Sequence, residues 1–533
     1  MMGKMPERSE SPMKCPVCDQ ENPSMLCPRC GFDVSRDYTR YPTFGIVPSA
    51  DTASSLRQEQ EAGRRAADPE KQQLLDRVAE LEKQLRSMTA TTQQLMEKLE
   101  APAPQADKPA PPPAKPAASK KRNRLMKDSP KYLYSTTVFG SKLRRYEIAS
   151  VTFLDTLADA PKKTWDVSAD KIGSVLAWAV PSGELYNLYL AADGEIEAPA
   201  SCNTLFAGYS SMRRIHFGNC FNTSNVQSMK DMFSNCSSLR ALDLSSFDTS
   251  NVQSMESMFS RCSSLTALNL RSFDTSNVKS MKDVFSGCSS LTALDLRSFD
   301  TSNVQNMESM FSGCSSLTAL NLRSFDTSNV KSMNRMFTRC SSLTALDLKS
   351  LNTSNVQDMG RMFSDCSSLA ELDLRNLDTS GVKYMSGMFS GCSSMTALNL
   401  RNFDTSEVQN MGYMFSGCSS MTALNLRNFD TSEVQDMGYM FSGCSSMTAL
   451  NLKNFDTSGV QDMGYMFFGC SSMTELDLSS FDTSKVRDMS NMFNNCKSLT
   501  TLKRGPRFVT DGAKTDGMYN KCAINKKWWN FLR

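Results

Sequence analysis

From Phe221 to Leu502 the apolar positions return every 26 residues. In the unit Leu265–Ser290, Leu268 and Leu270 flank one polar residue, Asn269, so both leucines share one face of a short strand. Phe273 follows at a turn, and Asp274-Thr275-Ser276 supplies side-chain oxygens of the kind that open helices. Val278, Met281, Phe285 and Cys288 then recur at spacings of three and four, with Val284 beside them, which predicts one face of a short helix. Each unit therefore reads as strand, turn, helix, turn. A unit this small cannot bury its own apolar face, and stacking has to supply the core. The expected fold class is an α/β repeat solenoid, leucine-rich-repeat-like, with parallel strands about 4.8 Å apart.

The rest of the chain divides by composition. Residues 1–50 carry Cys15, Cys18, Cys27 and Cys30. Residues 51–100 hold a polar segment and then a heptad: Leu74, Val78, Leu81, Leu85, Met88, Thr92, Leu95 and Leu99. That pattern predicts a coiled-coil helix over 70–100, with Thr92 weakening the seam, and hence a homo-oligomer. Residues 101–130, rich in Pro, Ala and Lys, read as a disordered spacer. Residues 131–212 mix apolar and polar positions in YEIASVTFLDTL, SVLAWAVPSG and ELYNLYLAADGEI, which predicts a β-rich cap of three or more strands with Trp165 and Trp178 inside. The solenoid is expected over 213–503 and a C-terminal cap over 504–533.

The repeat also accounts for the unusual composition, 18 cysteines and 35 methionines in 533 residues. Cys236 to Cys496 recur in strict register, Cys522 continues it, and Met columns such as Met229, Met255, Met281 and Met307 share the predicted helix face with Phe and Cys. Buried free thiols and a methionine core are the expectation. Lys+Arg of 59 against Asp+Glu of 56 gives no support to wholesale nucleic-acid or membrane binding. One histidine, His216, and no phosphate-binding glycine loop argue against an enzyme. No run of apolar residues is long enough to span a membrane.

Three strings carry a resemblance. They are LTALNLRSF (Leu265–Phe273), FDTSNV (Phe273–Val278) and M-x-x-M-F-x-x-C (Met307–Cys314). With AWAVPSGELYNLYLAADGEI (Ala177–Ile196) ahead of them, this unit resembles the repeats of BspA-like bacterial surface proteins. The resemblance implies adhesion, with the solenoid binding matrix proteins or other cells, and it implies no catalytic residues. Surface members of that family usually carry an export signal and an anchor. The N-terminus here lacks an apolar core of signal-peptide length, and the tail KKWWNFLR is short and charged.

The head of the chain points elsewhere. C-P-V-C-x8-C-P-R-C-G places two C-x2-C knuckles close together, and four thiolates so arranged make a closed tetrahedral zinc site with no open coordination position. The expected cofactor is structural Zn2+ on Cys15, Cys18, Cys27 and Cys30, with iron in a rubredoxin-like site or a pair of disulfides as the rival readings. Thiolates kept free for zinc favour a reducing compartment, so a cytoplasmic location is expected, with the cell surface by a non-classical route as the alternative. The expected function is a non-enzymatic adhesion-type or protein-binding scaffold, multiplied by the coiled coil. Its ligand, a protein or a glycan, would lie on the concave strand face over the basic ladder Arg271, Arg297, Arg323, Lys349, Arg375, Arg401, Arg427 and Lys453. An Asp or Asn precedes each cation by two residues, which leaves charge neutralisation as the plainer alternative. A second functional reading is an intracellular regulator whose zinc ribbon and Lys120, Lys121, Arg122 and Arg124 contact nucleic acid.

Overall fold

The computed structural model describes residues 122–128 and 137–524. The four N-terminal cysteines, the heptad over 70–100, Lys120, Lys121 and most of the predicted spacer lie outside the described residues. The chain divides into two units, Met1–Pro116 and Ala117–Arg533, and all the described residues belong to the second.

The second unit begins earlier than its composition suggests. β1 (Asn123–Arg124) falls within the predicted 101–130 spacer yet belongs to the cap. Leu125, set among basic residues, is buried there. The cap continues through β2 (Ile148–Leu154), β3 (Trp165–Asp166), β4 (Leu176–Ser182), β5 (Leu185–Ala191), β6 (Ile196–Glu197), β7 (Arg214–His216) and β8 (Phe221–Asn222). β4 and β5 are two of the predicted strands and pair as an antiparallel hairpin, turning at Gly183 with φ +66°. Trp178 stacks on Tyr189 across it, with ring centroids 5.4 Å apart. The main sheet runs β3-β4-β5-β2-β7, while β1, β6 and β8 form a smaller parallel sheet.

One cap feature was not legible in the sequence. The Arg145 side chain is buried, 3.0 Å from the Asp128 carboxylate, and donates to the carbonyls of Thr204 and Ala207 at 2.6 and 2.7 Å. It ties the cap to the first turns of the solenoid.

β7 carries the cap into the repeats, where β9 (Ala241–Asp243) and β10 (Ala267–Asn269) pair in parallel with Leu268 opposite Leu242. Farther along, β11 (Ala423–Leu424) pairs with β12 (Ala449–Leu450), and β13 (Glu475–Leu478) with β14 (Thr501–Arg504). The predicted strand wall and its parallel sense are present. The predicted helix is not: among the described residues, 213–503 contain no helix.

A second parallel ladder stands in its place, running without a break from Ser201–Ser228 to Asp488–Lys514. Alternate amides of each coil bond the next coil: Met229, Asp231, Phe233 and Asn235 donate to Ser254, Glu256, Met258 and Ser260. The amides between them close tight turns, Met232 to Met229, Ser234 to Asp231 and Cys236 to Phe233. A helix would use every amide internally. Here half of them hold the stack together. Two positions per coil are left-handed, for example Asp231 and Asn235 at φ +55° and +61°, and a right-handed helix excludes that conformation. The inward spacing of three and four arises because turns of this kind return side chains to one face as a helix does. We call this second wall the turn wall.

Both walls close on one core that includes Leu270, Met255, Met258 and Phe259. The turn-wall phenylalanines stack coil on coil, Phe233 on Phe259 at 5.9 Å and Phe259 on Phe285 at 5.7 Å, and Phe285 reaches Phe299 beyond the strand wall at 6.5 Å. Asp274-Thr275-Ser276 does not open a helix. Asp274 Oδ1 accepts the Ser276 amide at 3.0 Å, and the buried Thr275 hydroxyl donates to the Asp300 carbonyl one coil on at 2.7 Å. The ladder starts before 213, at Ser201, and continues past 503 to Lys514, with Met518 and Cys522 still buried. The turn-wall ladder therefore reaches into both predicted caps.

Candidate binding faces

The strand wall presents the predicted ladder. In each coil the Asp or Asn side chain accepts the amide two residues on: Arg297 N–H to Asp295 at 3.3 Å, Arg401 to Asn399 at 3.3 Å, Arg427 to Asn425 at 3.2 Å and Lys453 to Asn451 at 3.2 Å. Acid and amide serve this turn equally. The fold leaves the choice between them free, and the choice sets the charge of the face.

Where the acid stands, the cation can be neutralised. Arg297 grips Asp295 with two bonds of 2.9 and 2.7 Å, and Arg375 grips Asp373 at 2.9 and 2.8 Å. Arg271 lies 3.8 Å from Asp295 across the coil boundary. The Arg297 side chain holds the Asp295 carboxyl down to about 2, and Arg375 pulls Asp373 lower still. These groups are exposed, so the pairs add little to stability. Asn399, Asn425 and Asn451 break the scheme in three consecutive coils. Arg401, Arg427 and Lys453 there are exposed and make no ion pair within 4 Å among the described residues. Lys453 contributes only at longer range to the lowering of Asp477 in the next coil, behind the side chain and amide of Ser479. Arg323 and Lys349 also lack such a pair, though coils with Asp flank or contain them. The predicted ladder thus mixes paired and unpaired cations up to Arg375 and then runs unpaired through three consecutive coils.

The turn wall forms a second face that reading it as a helix concealed. Its early coils pair Lys230 with Glu256 and Lys282 with Glu308, each at 2.7 Å. Its later coils repeat Gly-Tyr. Tyr413, Tyr439 and Tyr465 stack at 4.4 and 4.5 Å with nearly parallel rings, each at a left-handed φ of +57° to +61°. Beside them runs an acidic column, Asp436, Asp462 and Asp488, whose Oδ1 atoms accept the amides of Gly438, Gly464 and Ser490 at 2.9, 2.8 and 2.7 Å. Glycine precedes each tyrosine for a reason of space: a Cβ on Gly412 would lie 3.0 Å from Asp436 Oδ1. Burial raises the Asp462 carboxyl, and Asp436 and Asp488 push it the same way. The recurring M-G-Y-M-F string was the sequence signal for this face.

The cysteine ladder is structural. Every described cysteine is free and buried. Within the ladder each thiol donates to the phenylalanine carbonyl of the preceding coil, Cys288 to Phe259 at 3.1 Å and Cys314 to Phe285 at 3.2 Å. Burial pushes Cys314, Cys366 and Cys496 up to about 12, so these thiols stay protonated. Among the described residues no group of three or more His, Cys, Asp or Glu is placed to hold a metal. The proposed zinc ligands lie outside them. His216 is exposed on β7. A cleft of about 640 Å³ beside β1 is lined by Arg122, Asn123, Glu195, Glu197, Asn222 and Asn225 among others, and several of these groups bond one another, as Asn222 to Glu195 at 3.1 Å and Asn225 to Glu197 at 2.8 Å. No helix among the described residues is long and apolar enough to cross a membrane.

Comparison with known families gives one clear match. The family described as "Mycoplasma protein of unknown function, DUF285" matches residues 200–319, 279–398, 311–424, 370–472 and 418–527, which together cover the coils and more than half of the chain. No curated protein matches. Among solved structures, a chain from "Crystal structure of TLR13-ssRNA13 complex" is 16% identical, over 61% of this chain and 50% of that one, with a TM-score of 0.21. The alignment spans only half of that protein, and the superposition is too poor to equate the two arrangements of coils.

Proposed function

The chain belongs to the DUF285 family, and from that premise we propose that it is a non-enzymatic binding scaffold whose working surface is the strand face around Arg401, Arg427 and Lys453. One observation carries this reading. Three consecutive coils replace Asp with Asn at a turn that accepts either, leaving three exposed cations uncompensated in a row. The ligand that fits is a macromolecule with repeated anionic groups, an acidic protein face or an acidic glycan. The exposed alanines Ala397, Ala423 and Ala449 leave the surface low beside the cations. Adhesion is the biological setting implied by the family resemblance.

The amino-terminal parts complete the proposal. Cys15, Cys18, Cys27 and Cys30 hold a structural zinc, which suits a reducing compartment, and the heptad over 70–100 multiplies copies of the face so that weak contacts gain avidity.

The test is equilibrium binding of the full-length chain to polyglutamate and to heparin. The R401Q/R427Q/K453Q variant should bind at least tenfold more weakly than the wild type, and wild-type binding should fall with added salt. Equal affinity for the two proteins would refute the proposal.

A further inference from the structure

Resting on the strand-face reading, we infer that the partner of that face is the turn wall of a second copy of this chain. The acidic column Asp436, Asp462 and Asp488 and the basic column Arg401, Arg427 and Lys453 occupy overlapping coils but opposite walls of one core. They cannot meet within a molecule. Between molecules they meet in register, because both are built on the same coil-to-coil step. The tyrosine rings beside the acids advance 4.4 and 4.5 Å per coil. Asp436, Asp462 and Asp488 are themselves rungs of a parallel ladder, as are Ala423 and Ala449 on the strand face, and parallel rungs advance about 4.8 Å on either wall. Each cation then faces a carboxylate at every rung. A partner without this period would match at one rung only.

Relief and charge agree with this pairing. The stacked tyrosines are stiff, with two side-chain torsions each, and lose little freedom on contact. They form a ridge, and the strand face offers the row of exposed alanines to receive it. The three aspartates make no ion pair within 4 Å among the described residues, and their mutual repulsion is relieved by facing cations. Because the two surfaces differ, a pair of copies keeps one of each kind free. The contact is heterologous and propagates as an open lateral array of copies.

Sedimentation of the full-length chain tests this. Wild type is compared with an Asp436/Asp462/Asp488→Lys variant, an Arg401/Arg427/Lys453→Glu variant and their equimolar mixture, with circular dichroism to confirm folding. At low salt the wild-type weight-average mass should at least double with rising concentration and return to its base value at high salt. Each variant alone should stay at the base value, and the mixture should grow again, since the reversed faces complement each other. Residues 70–100 are the same in every sample and contribute equally to its base value. An Asp436/Asp462/Asp488→Asn variant keeps the turn hydrogen bonds and should also fail to grow, which guards against misfolding of the lysine variant. Equal sedimentation of all samples, or a mixture no larger than its parts, overturns the inference. If polyglutamate binding is then still lost in the Arg401/Arg427/Lys453→Glu variant, the strand-face reading stands and only the self-pairing falls. A lysine-rich peptide that binds the turn wall while the chain does not self-associate would likewise replace the second copy with a cationic partner.

Discussion

At the scale of single residues, the coil depends on where side chains and left-handed positions fall. Gly417 sits at φ +75° with its missing Cβ only 3.4 Å from Gly391 backbone atoms one coil away. Gly417→Ala should cost about 1–2 kcal/mol, the penalty of placing a Cβ in the left-handed region, and denaturant unfolding measures it. The thiol ladder makes a different prediction. Burial raises Cys314, Cys366 and Cys496 to about 12, whereas an unfolded thiol titrates near about 8.5. Between those values the unfolded chain releases protons that the folded chain retains. The stabilisation is therefore complete below about pH 8.5 and is lost progressively as pH rises toward the folded values. Urea midpoints should fall steadily above about pH 9, and the ladder thiols should resist alkylation at about pH 8 until the protein unfolds. Flat midpoints, or rapid native alkylation, would contradict the hydrogen-bonded thiol ladder.

At the scale of the coil, the sequence revealed the period, the strand wall, the methionine and cysteine core and the strands of the cap, because all of these rest on which side chains face inward. It misled on the second wall. Spacings of three and four between Val278, Met281, Phe285 and Cys288 fit a helix and a train of tight turns alike. The signal against a helix lay in the residue before each cysteine, often glycine as in Gly287, Gly313 and Gly417, where the backbone is left-handed. The turn-wall face went unseen for the same reason, since a helix would have spread Tyr413 and Asp436 differently. Arg145 and its carbonyl partners join residues far apart in the chain, which no local pattern encodes. The coil also predicts its own tolerance. Deleting residues 405–430, one period of 26, should give a shorter protein that still unfolds cooperatively with a smaller urea dependence. Deleting 405–429 leaves one extra residue, Asp430, in a single coil and should lower the urea midpoint below that of the in-register deletion, because the strand and turn ladders of that coil no longer match their neighbours. Similar behaviour of the two deletions by circular dichroism and urea titration would contradict the in-register stack.

At the scale of the whole molecule, function follows from repetition. A turn that accepts aspartate or asparagine lets charge vary along the strand face without altering the fold, so one coil can carry a paired cation and another an unpaired one. The most direct test of this account adds the missing acids and removes no cation. In an Asn399/Asn425/Asn451→Asp variant each new carboxylate should accept the same turn amide and pair with Arg401, Arg427 or Lys453, as Asp295 does with Arg297. The measurement is polyglutamate affinity of the full-length chain, with the urea midpoint recorded beside it. The account predicts an unchanged midpoint and at least a tenfold loss of affinity. Unchanged affinity in a folded variant would contradict it.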